Sequence, residues 1–546
     1  MSIKIEAPPK ARRTGFSRGR LSVETLLASP FYLFILLGIV VPLGYLIYAS
    51  FQTGSPSSPT TTFTTDNFQS LFTEPRYRQA LFNTLKLSLV VTTVSVLVGM
   101  LLAWFIVRTD MPGRKRFETL IPIPLFLSPL AGGAAWVILA SESSGFLNVA
   151  FTSLTGAQHG PLNIYSFGGL VWTMSLFFIP YAYLFTAAPL RAMDGSLEEA
   201  ARISGASMLR TLLRVTLPSV IPGVIAAFLM VFVLASEMFS IPGLIGVPAD
   251  YYTLPYLIYQ LTHYSPPNWP AATAAGLLLL LLMALGLFLQ RYATRNSKRF
   301  VTVTGKGQRP STLRLGGWRW AGFSLSAGYI LVALVLLICA LIIGSFMKFY
   351  SSRITRDSFT LSHWSRALGT EQFKTALMNT LTVAAIGPTI TVVGAFVLVY
   401  LWQRTRVPFA KTSEMLAMLP ISLPGIVFGV GILWASIATP LYGTLALLII
   451  AYAARYLADS IRMFSSTIVQ IDPSLDEAAR IGGSSLIGTM RRISLPLLKE
   501  AGLSSWLLLF ILMVRELNVA IMIYTGDSLV LPGTSLFVQD TACLRI

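Results

Sequence analysis

Long apolar segments alternate with short polar segments along most of the 546-residue chain. An apolar run of about 20 residues is long enough for a helix to cross the roughly 30 Å hydrocarbon core of a bilayer. In the first half the pattern predicts spans at 29–50, 82–107, 119–140, 166–190, 219–242 and 270–291; in the second half it predicts spans at 319–346, 378–403, 415–436, 441–463 and 497–525. The pattern therefore predicts an all-α integral membrane protein with six and then five helices, eleven in all.

One polar segment between these apolar runs occurs twice. Asp194–Pro218 and Asp472–Pro496 are identical at 14 of 25 positions without a gap. Shorter matches accompany them, such as Arg108-Thr109 with Arg404-Thr405. The numbering offset between matched positions falls from 296 at the arginines to 278 at the long segment, which predicts an 18-residue deletion in the outer loop near 437–440 relative to 141–165. The two halves are therefore expected to be homologous domains in tandem.

The repeated segment has the composition of a short surface helix followed by a turn. Its alanines are strong helix formers that let a partner approach the backbone closely. Gly205 and Gly483 permit a turn after the helix, and Pro218 and Pro496 suit the first turn of a new helix. We expect a short helix on the membrane surface, a turn, and re-entry into the bilayer. An ordinary basic loop is the alternative for a single copy, and the duplication argues against it.

Both copies resemble the motif E-A-A-x3-G-x9-I-x-L-P of permease subunits of binding-protein-dependent ABC importers. The one departure is Val215, where the second copy has Ile493. The resemblance implies two type I importer transmembrane domains, two copies of an ABC ATPase that bind ATP and Mg, a periplasmic or lipid-anchored binding protein, and no cofactor on this chain. It assigns the ATPase-coupling role to Glu199, Ala200, Ala201 and Gly205, and to Glu477, Ala478, Ala479 and Gly483.

The fusion of two such domains resembles the ferric-iron importer permeases. The run Glu-Met-Phe-Ser-Ile-Pro at 237–242 and the tripeptide at 515–517 are similar to signatures of that group. The resemblance implies ferric iron as substrate, with thiamine and aminoethylphosphonate importers as similar neighbours whose substrates remain open alternatives.

Charge distribution sets the predicted topology. Only 12% of residues are charged, and most of the 41 Lys and Arg residues fall in the N-terminal tail and in alternate loops. The positive-inside rule then places the N-terminus and both repeated segments in the cytoplasm of a bacterial inner membrane, and the net charge of +18 needs no nucleic-acid partner. We predict a basic tail at 1–28, a first domain at 29–291, a linker at 292–318 and a second domain at 319–546. The second domain lacks a sixth span, which suggests C-terminal truncation.

Several charged residues lie within predicted spans, where charge is costly. Glu237 and the pair Arg515-Glu516 fall about 20 residues after each Leu-Pro, near the predicted outer face. They are candidates for a substrate path or gate. The alternatives are a structural Glu237–Arg515 ion pair and, for Arg455 and Asp459, a pair within one helix.

The sequence lacks the common catalytic and metal-binding patterns. It contains no G-x-x-x-x-G-K-[ST] loop and no His-Glu-x-x-His or Cys-x-x-Cys motif, and its three histidines and two cysteines are widely spaced. The chain is therefore expected to be a channel-forming subunit without enzymatic or metal sites. Energy for transport then comes from a partner ATPase or, in a second class of mechanism, from an ion gradient that drives a secondary transporter.

Overall fold

The computed structural model describes residues 23–54, 61–263, 265–295, 312–348 and 358–533. The first half contains α1 (Val23–Ser50), α2 (Pro75–Arg108), α3 (Arg114–Phe126), α4 (Pro129–Ala140), α5 (Phe167–Ala192), α6 (Ser196–Ile203), α7 (Leu212–Ser236), α8 (Leu254–His263) and α9 (Trp269–Arg295). The second half contains α10 (Gly316–Phe346), α11 (Glu371–Arg404), α12 (Ala410–Ser422), α13 (Gly425–Ser436), α14 (Leu445–Ile468), α15 (Ser474–Ile481), α16 (Leu486–Val514) and α17 (Ala520–Ile523). The chain is an all-α, multi-span membrane protein, as predicted.

Eight helices of the described residues are long and apolar enough to cross a membrane without a break. The third predicted span of each half is not one of them. α3 meets α4 at 98°, and α12 meets α13 at 117°. Prolines cause both breaks: Pro122, Pro124 and Pro129 in the first half, and Pro420 and Pro424 in the second, because proline removes an N–H donor and restricts the residue before it. The prediction of continuous helices at 119–140 and 415–436 was wrong on this point.

The remaining predicted span corresponds to α14, which is helical for 24 residues but carries three charged side chains.

The change in numbering offset between the two halves is explained as predicted. Twenty-six residues separate α4 from α5, and they include a helix at Phe146–Thr155. Only eight residues separate α13 from α14, and this shorter connection accounts for the whole change in offset.

Each half is built around one long parallel pair of helices. α2 packs along α5 in the first half, and α11 packs along α14 in the second. Small residues allow the close approach: a Cβ at Gly99 of α2 would lie 2.7 Å from Cβ of Ala182 in α5. α7 and α16 then pack against these pairs, so the same three-helix core occurs twice.

The first helix of each half lies against the other half. α10 packs along α4, and Tyr329 donates a hydrogen bond to the carbonyl of Leu176 at 2.9 Å. α1 packs on α13. A Cβ placed at Gly38 of α1 would lie 3.3 Å from the Cβ of Ala454 in α14. The first helix of each half therefore holds the two halves together.

Several predicted boundaries fall outside the described residues. These are most of the basic tail (1–22), most of the linker (296–311) and the C-terminal segment (534–546). The domain limits therefore stay predictions. Within the described part, the last predicted span begins and ends earlier than expected, since α16 runs from Leu486 to Val514.

Candidate functional site

The two repeated segments form the same local structure. α6 and α15 are short helices that each end in a glycine turn, with φ +80° at Gly205 and +85° at Gly483. A side chain is strained in this left-handed region, and no atom lies within 4 Å of a Cβ placed at either glycine. Backbone conformation, not packing, thus calls for glycine at both turns.

An aspartate fixes the start of each segment. The Asp194 carboxylate accepts a hydrogen bond from the Ser196 backbone N–H at 3.0 Å, and Asp472 does the same with Ser474 at 2.9 Å. These backbone hydrogen bonds, followed by those from the serine side chains, hold the pKa of each aspartate below its ordinary value. The two helices are therefore preceded by the same charged turn, in which an aspartate binds the first helical N–H.

The predicted coupling residues lie on an outward face in both copies. The side chains of Glu199 and Glu477 are exposed, as are Ala200, Ala478 and both turn glycines, while Ala201 and Ala479 are half-buried. At the end of each helix an isoleucine projects from the polar segment: Ile203 is 87% exposed and Ile481 is 89% exposed. Each segment therefore presents one exposed apolar side chain beside an exposed carboxylate.

The Leu-Pro dipeptide does not begin a new helix, contrary to the sequence-based prediction. In each copy the helix starts about ten residues earlier, at Met208 and Leu486, and passes through a π-helical turn at Leu212–Thr216 or Met490–Ser494. The proline follows two residues after that turn. Because proline has no N–H to donate, the regular hydrogen-bond ladder is interrupted and the helix widens.

A buried arginine and a buried carboxylate hold α6 in place. Arg108, the last residue of α2, contacts Glu198 Oε2 through Nη2 at 2.5 Å and through Nε at 3.1 Å. Thr216 of the π-helical turn donates to Glu198 Oε1 at 2.5 Å, and Arg108 also donates to the Met193 carbonyl at 3.3 Å. We call Arg108, Glu198 and Thr216 the first clamp. It joins three elements: α2, α6 and the helical run that contains α7.

The second half repeats this arrangement with Arg404, Asp476 and Ser494, which we call the second clamp. Arg404 Nε lies 3.4 Å from Asp476 Oδ2, and Ser494 donates to Asp476 Oδ1 at 3.0 Å. Arg404 also donates to the Ile471 carbonyl, the counterpart of Met193, at 2.5 Å. The contact is longer than in the first clamp because aspartate is one methylene shorter than glutamate.

A cavity of about 330 Å³ lies between the halves. Its charged and phenolic lining residues are Glu237, Asp459, Glu516, Arg455, Arg462, Arg515, Tyr181 and Tyr456. Glu516 accepts hydrogen bonds from the Tyr456 hydroxyl and, at 3.1 Å, from the Val519 backbone N–H. The three carboxylates and three guanidinium groups make the lining strongly polar and close to neutral in formal charge.

Two of these arginines also fix the breaks in the bent helix pairs. Arg455 donates to the carbonyls of Pro420 and, at 2.6 Å, Leu423 at the α12–α13 break. Arg515 donates to the carbonyls of Leu125 at 2.5 Å and Leu127 at 2.9 Å at the α3–α4 break. Arg515 belongs to the second half and reaches into the first, so one cavity-lining residue bridges the domains.

The structure thus brings all three candidate gate residues to one cavity but pairs them differently from the alternatives considered. Glu237 lies 3.7 Å from Arg455 Nη2, so a Glu237–Arg515 ion pair was wrong, and so was a pairing of Arg455 with Asp459. The cavity also lies deeper than the predicted outer face: Arg455 is about 15 Å along α14. The predicted depth was counted from Leu-Pro as if that dipeptide lay at the membrane surface. Helices such as the 34-residue α2 are longer than the bilayer is thick, so a helix end does not mark that surface.

Sequence reasoning missed the clamp residues, although a signal was present. Arg108 and Arg404 already stood out as a repeated pair, and an acidic residue precedes Glu-Ala-Ala in both copies.

Within the described residues no group of three or more His, Cys, Asp or Glu side chains could hold a metal ion.

Comparison with known proteins identifies the class. A family model described as the binding-protein-dependent transport system inner membrane component matches residues 20–299, just over half of the chain. The chain belongs to this family, so it is a permease of a binding-protein-dependent ABC importer. The resemblance read from the two Glu-Ala-Ala segments is confirmed.

Particular relatives are ferric transport permeases. The putative ferric transport system permease protein FbpB 1 of Haemophilus influenzae is 26% identical over 86% of this chain and 73% of its own length. The Fe(3+)-transport system permease protein FbpB 2 of the same organism is 25% identical over 91% of this chain and 90% of its own length. Among solved structures, a bacterial ABC transporter that imports the acidic polysaccharide alginate matches with TM-score 0.41 and 20% identity, covering 51% of this chain and 95% of that one.

Proposed function

We propose that this chain is the transmembrane permease subunit of an ABC importer that moves ferric iron across a bacterial inner membrane. In this proposal α6 and α15 face the cytoplasm, as does the N-terminus, and each docks on one of two ATPase subunits that bind ATP and Mg. A periplasmic or lipid-anchored binding protein delivers the iron from the other side. The observation that carries the proposal is the repeated exposed helix, held by a clamp in each half.

The geometry supports a docking role for α6 and α15. Exposed Ile203 and Ile481 offer apolar side chains to a groove, while the exposed Glu199 and Glu477 offer charges to its rim. Closing of the ATPases on ATP would draw the two helices together. The chain would then act as a two-state device that nucleotide biases between inward and outward access.

The central cavity supports a path for a hard cation. Carboxylate and phenolate oxygens are the donors that Fe³⁺ prefers, and Glu237, Asp459 and Tyr181 line the space. The neighbouring guanidinium groups compensate the carboxylates, and Arg455 lies 3.7 Å from Glu237. A cation would therefore meet oxygen donors whose charge is already partly balanced, which favours passage over tight retention.

Co-purification tests the coupling role. Replacing Glu199 and Glu477 with Lys should remove the ATPase from the purified complex, since a charge reversal at the docking rim repels the partner. Glu371→Lys is the matched control, because that side chain is 84% exposed and belongs to the first turn of α11, away from both segments. Retention of the ATPase in the double variant, or transport that persists after ATP depletion, would instead favour a gradient-driven transporter.

Uptake by cells tests the cargo. Iron-depleted cells lacking this chain should fail to accumulate radiolabelled ferric iron and should recover when the wild-type chain is restored. Thiamine and aminoethylphosphonate uptake measured in the same cells provides the comparison. Normal iron uptake alongside a loss of either other solute would overturn the assignment of iron and leave the importer mechanism intact.

A further inference from the structure

The two clamps connect the exposed helices to the two longest helices among the described residues. Arg108 ends α2, and Arg404 ends α11; each of these helices has 34 residues and is about 50 Å long. Glu198 and Asp476 lie in the first turns of α6 and α15. A displacement of either short helix therefore acts directly on the end of a helix that runs along the core of its half.

Burial makes these contacts stiff. The side chains of Arg108 and Glu198 are 4% and 0% exposed, and those of Arg404 and Asp476 are 9% and 12% exposed. A buried ion pair contributes little net stability compared with apolar side chains of the same size, and its better-attested role is to fix one geometry. The clamps thus have the properties expected of joints that transmit position.

The two joints are unequal. The closest distance between the arginine and the carboxylate is 2.5 Å in the first clamp and 3.4 Å in the second. Within its described residues (312–318), the end of the linker contacts the first clamp: Leu313 donates from its backbone N–H to the Arg108 carbonyl at 2.8 Å, and its own carbonyl accepts from Asp110 N–H at 3.1 Å. Asp110 in turn accepts from Leu315 N–H at 2.9 Å. The covalent connection between the halves therefore anchors at the first clamp.

We propose that Arg108–Glu198 and Arg404–Asp476 are positioning pairs that carry motion of α6 and α15 to α2 and α11, and that the first pair is the stiffer joint. Neither arginine needs to touch the ATPase or the cargo. The transport arm of this inference rests on the proposed function, whereas its structural arm concerns the full chain alone.

Amide hydrogen exchange on the full chain in nanodiscs tests the structural arm. Arg108→Gln removes one partner of a buried pair, so amides of 196–203 should exchange about a hundredfold faster. Arg404→Gln should accelerate exchange in 474–481 by about tenfold, because its pair is longer and less buried. Arg191→Gln is the matched control: it breaks an Arg–Glu pair of 2.5 Å with Glu118 that is about half exposed, and it should leave 196–203 unchanged.

Thr216→Val provides a second variant of the first clamp. It keeps the side-chain shape and removes only the hydroxyl that holds Glu198 Oε1, so it tests the joint even if Arg108→Gln does not accumulate. Faster exchange in 196–203 with normal chain abundance supports the inference. Unchanged exchange in Thr216→Val and Arg108→Gln, or equal effects in the two halves, would overturn it.

Transport per ATP hydrolysed tests the transmission arm. In the assembled importer Arg108→Gln should retain the ATPase but transport about fivefold less per ATP hydrolysed, because movement of α6 is no longer fully passed on to α2. Reversal of the pair, Arg108→Glu with Glu198→Arg, should recover part of this ratio. An unchanged ratio in a chain whose exchange has accelerated would overturn transmission alone, while failure of the wild-type chain to bind any ATPase would overturn the proposed function instead.

Discussion

Glu237 and Arg515 occupy equivalent positions in the two halves, at the same spacing after each Leu-Pro, and carry opposite charges without pairing with each other. Glu237 lies against Arg455 of α14 at 3.7 Å, and Arg515 binds the carbonyls of Leu125 and Leu127 at the α3–α4 break. Each residue therefore contacts a group of the other half. The duplication has kept the position and changed the charge, which makes the cavity asymmetric and links the domains across it.

Arg455 should matter more to stability than its partner does. Arg455→Gln leaves the Glu237 carboxylate uncompensated and also releases two carbonyls at the α12–α13 break, so we expect a loss of about 3 kcal/mol in the free energy of unfolding. Glu237→Gln leaves Arg455 bound to those carbonyls and should cost about 1 kcal/mol. Unfolding in mixed micelles measures both.

The double variant is the control for this pair. Glu237→Gln with Arg455→Gln should cost less than the two single changes added together, because no charge is left alone in the cavity. Strict additivity would mean that the contact between Glu237 and Arg455 contributes nothing. The same measurement on Arg515→Gln reports the carbonyl contacts of the other break without disturbing Glu237.

Hydropathy and the internal repeat predicted the all-α membrane fold, the difference in loop length between the halves and the two glycine turns. These features depend on local composition and spacing, which the sequence displays directly. The prolines at 122, 124 and 129 were visible too, but apolarity outweighed them, so a bent pair was read as one span. The fault lay in treating proline as tolerable within an apolar run.

Long-range features lay beyond that reasoning. Nothing in the sequence near α1 or α10 indicates that each packs on the opposite half, because an apolar helix face can pack against many other apolar faces. The pairing of Arg455 with Glu237 is of the same kind, since the residues lie in different halves and any buried acid could have compensated that arginine. The clamp residues could have been predicted more easily, because both arginines and both acidic residues recur at matched positions in the two halves.

The glycine turns should tolerate substitution poorly for a backbone reason alone. Gly205→Ala or Gly483→Ala forces an L side chain into φ near +80°, which costs about 1 kcal/mol in local stability. The displaced turn should weaken ATPase retention, measured by co-purification. Gly156→Ala is the matched control, with φ +71° and an equally open Cβ position in the loop before α5, and it should retain the ATPase. Equal losses in all three would point to general instability.

The exposed isoleucines should be needed for docking and not for folding. Ile203→Ser and Ile481→Ser change side chains that are 87% and 89% exposed. The free energy of unfolding of the isolated chain should therefore stay within about 0.5 kcal/mol of the wild-type value. ATPase affinity should fall by about tenfold for each change, because an apolar anchor is lost. Leu154→Ser is the control at a position that is also 87% exposed, between α4 and α5. Unaltered affinity in the double isoleucine variant would remove these side chains from the interface.

Acid should loosen α6 and α15 together. Hydrogen bonds from the backbone N–H groups of Ser196 and Ser474 keep the pKa values of Asp194 and Asp472 below the ordinary value in the folded chain. A carboxylate whose folded pKa is lowered contributes stability above its unfolded pKa, about 3.9, and that contribution disappears as pH falls through the folded value. Exchange protection of 196–203 and 474–481, corrected for intrinsic rates, should therefore be flat from pH 8 to pH 5 and decline only below about pH 4.

Replacing one aspartate separates its titration from general acid unfolding. Asp472→Asn keeps an oxygen that can accept the Ser474 N–H and cannot titrate, so the acid-dependent loss of protection in 474–481 should shrink while that in 196–203 persists through Asp194. The unmodified segment thus serves as the internal reference within one molecule. If protection in 474–481 still falls over the same pH range in the variant, another carboxylate governs the segment and the hydrogen bond between Asp472 and Ser474 does not.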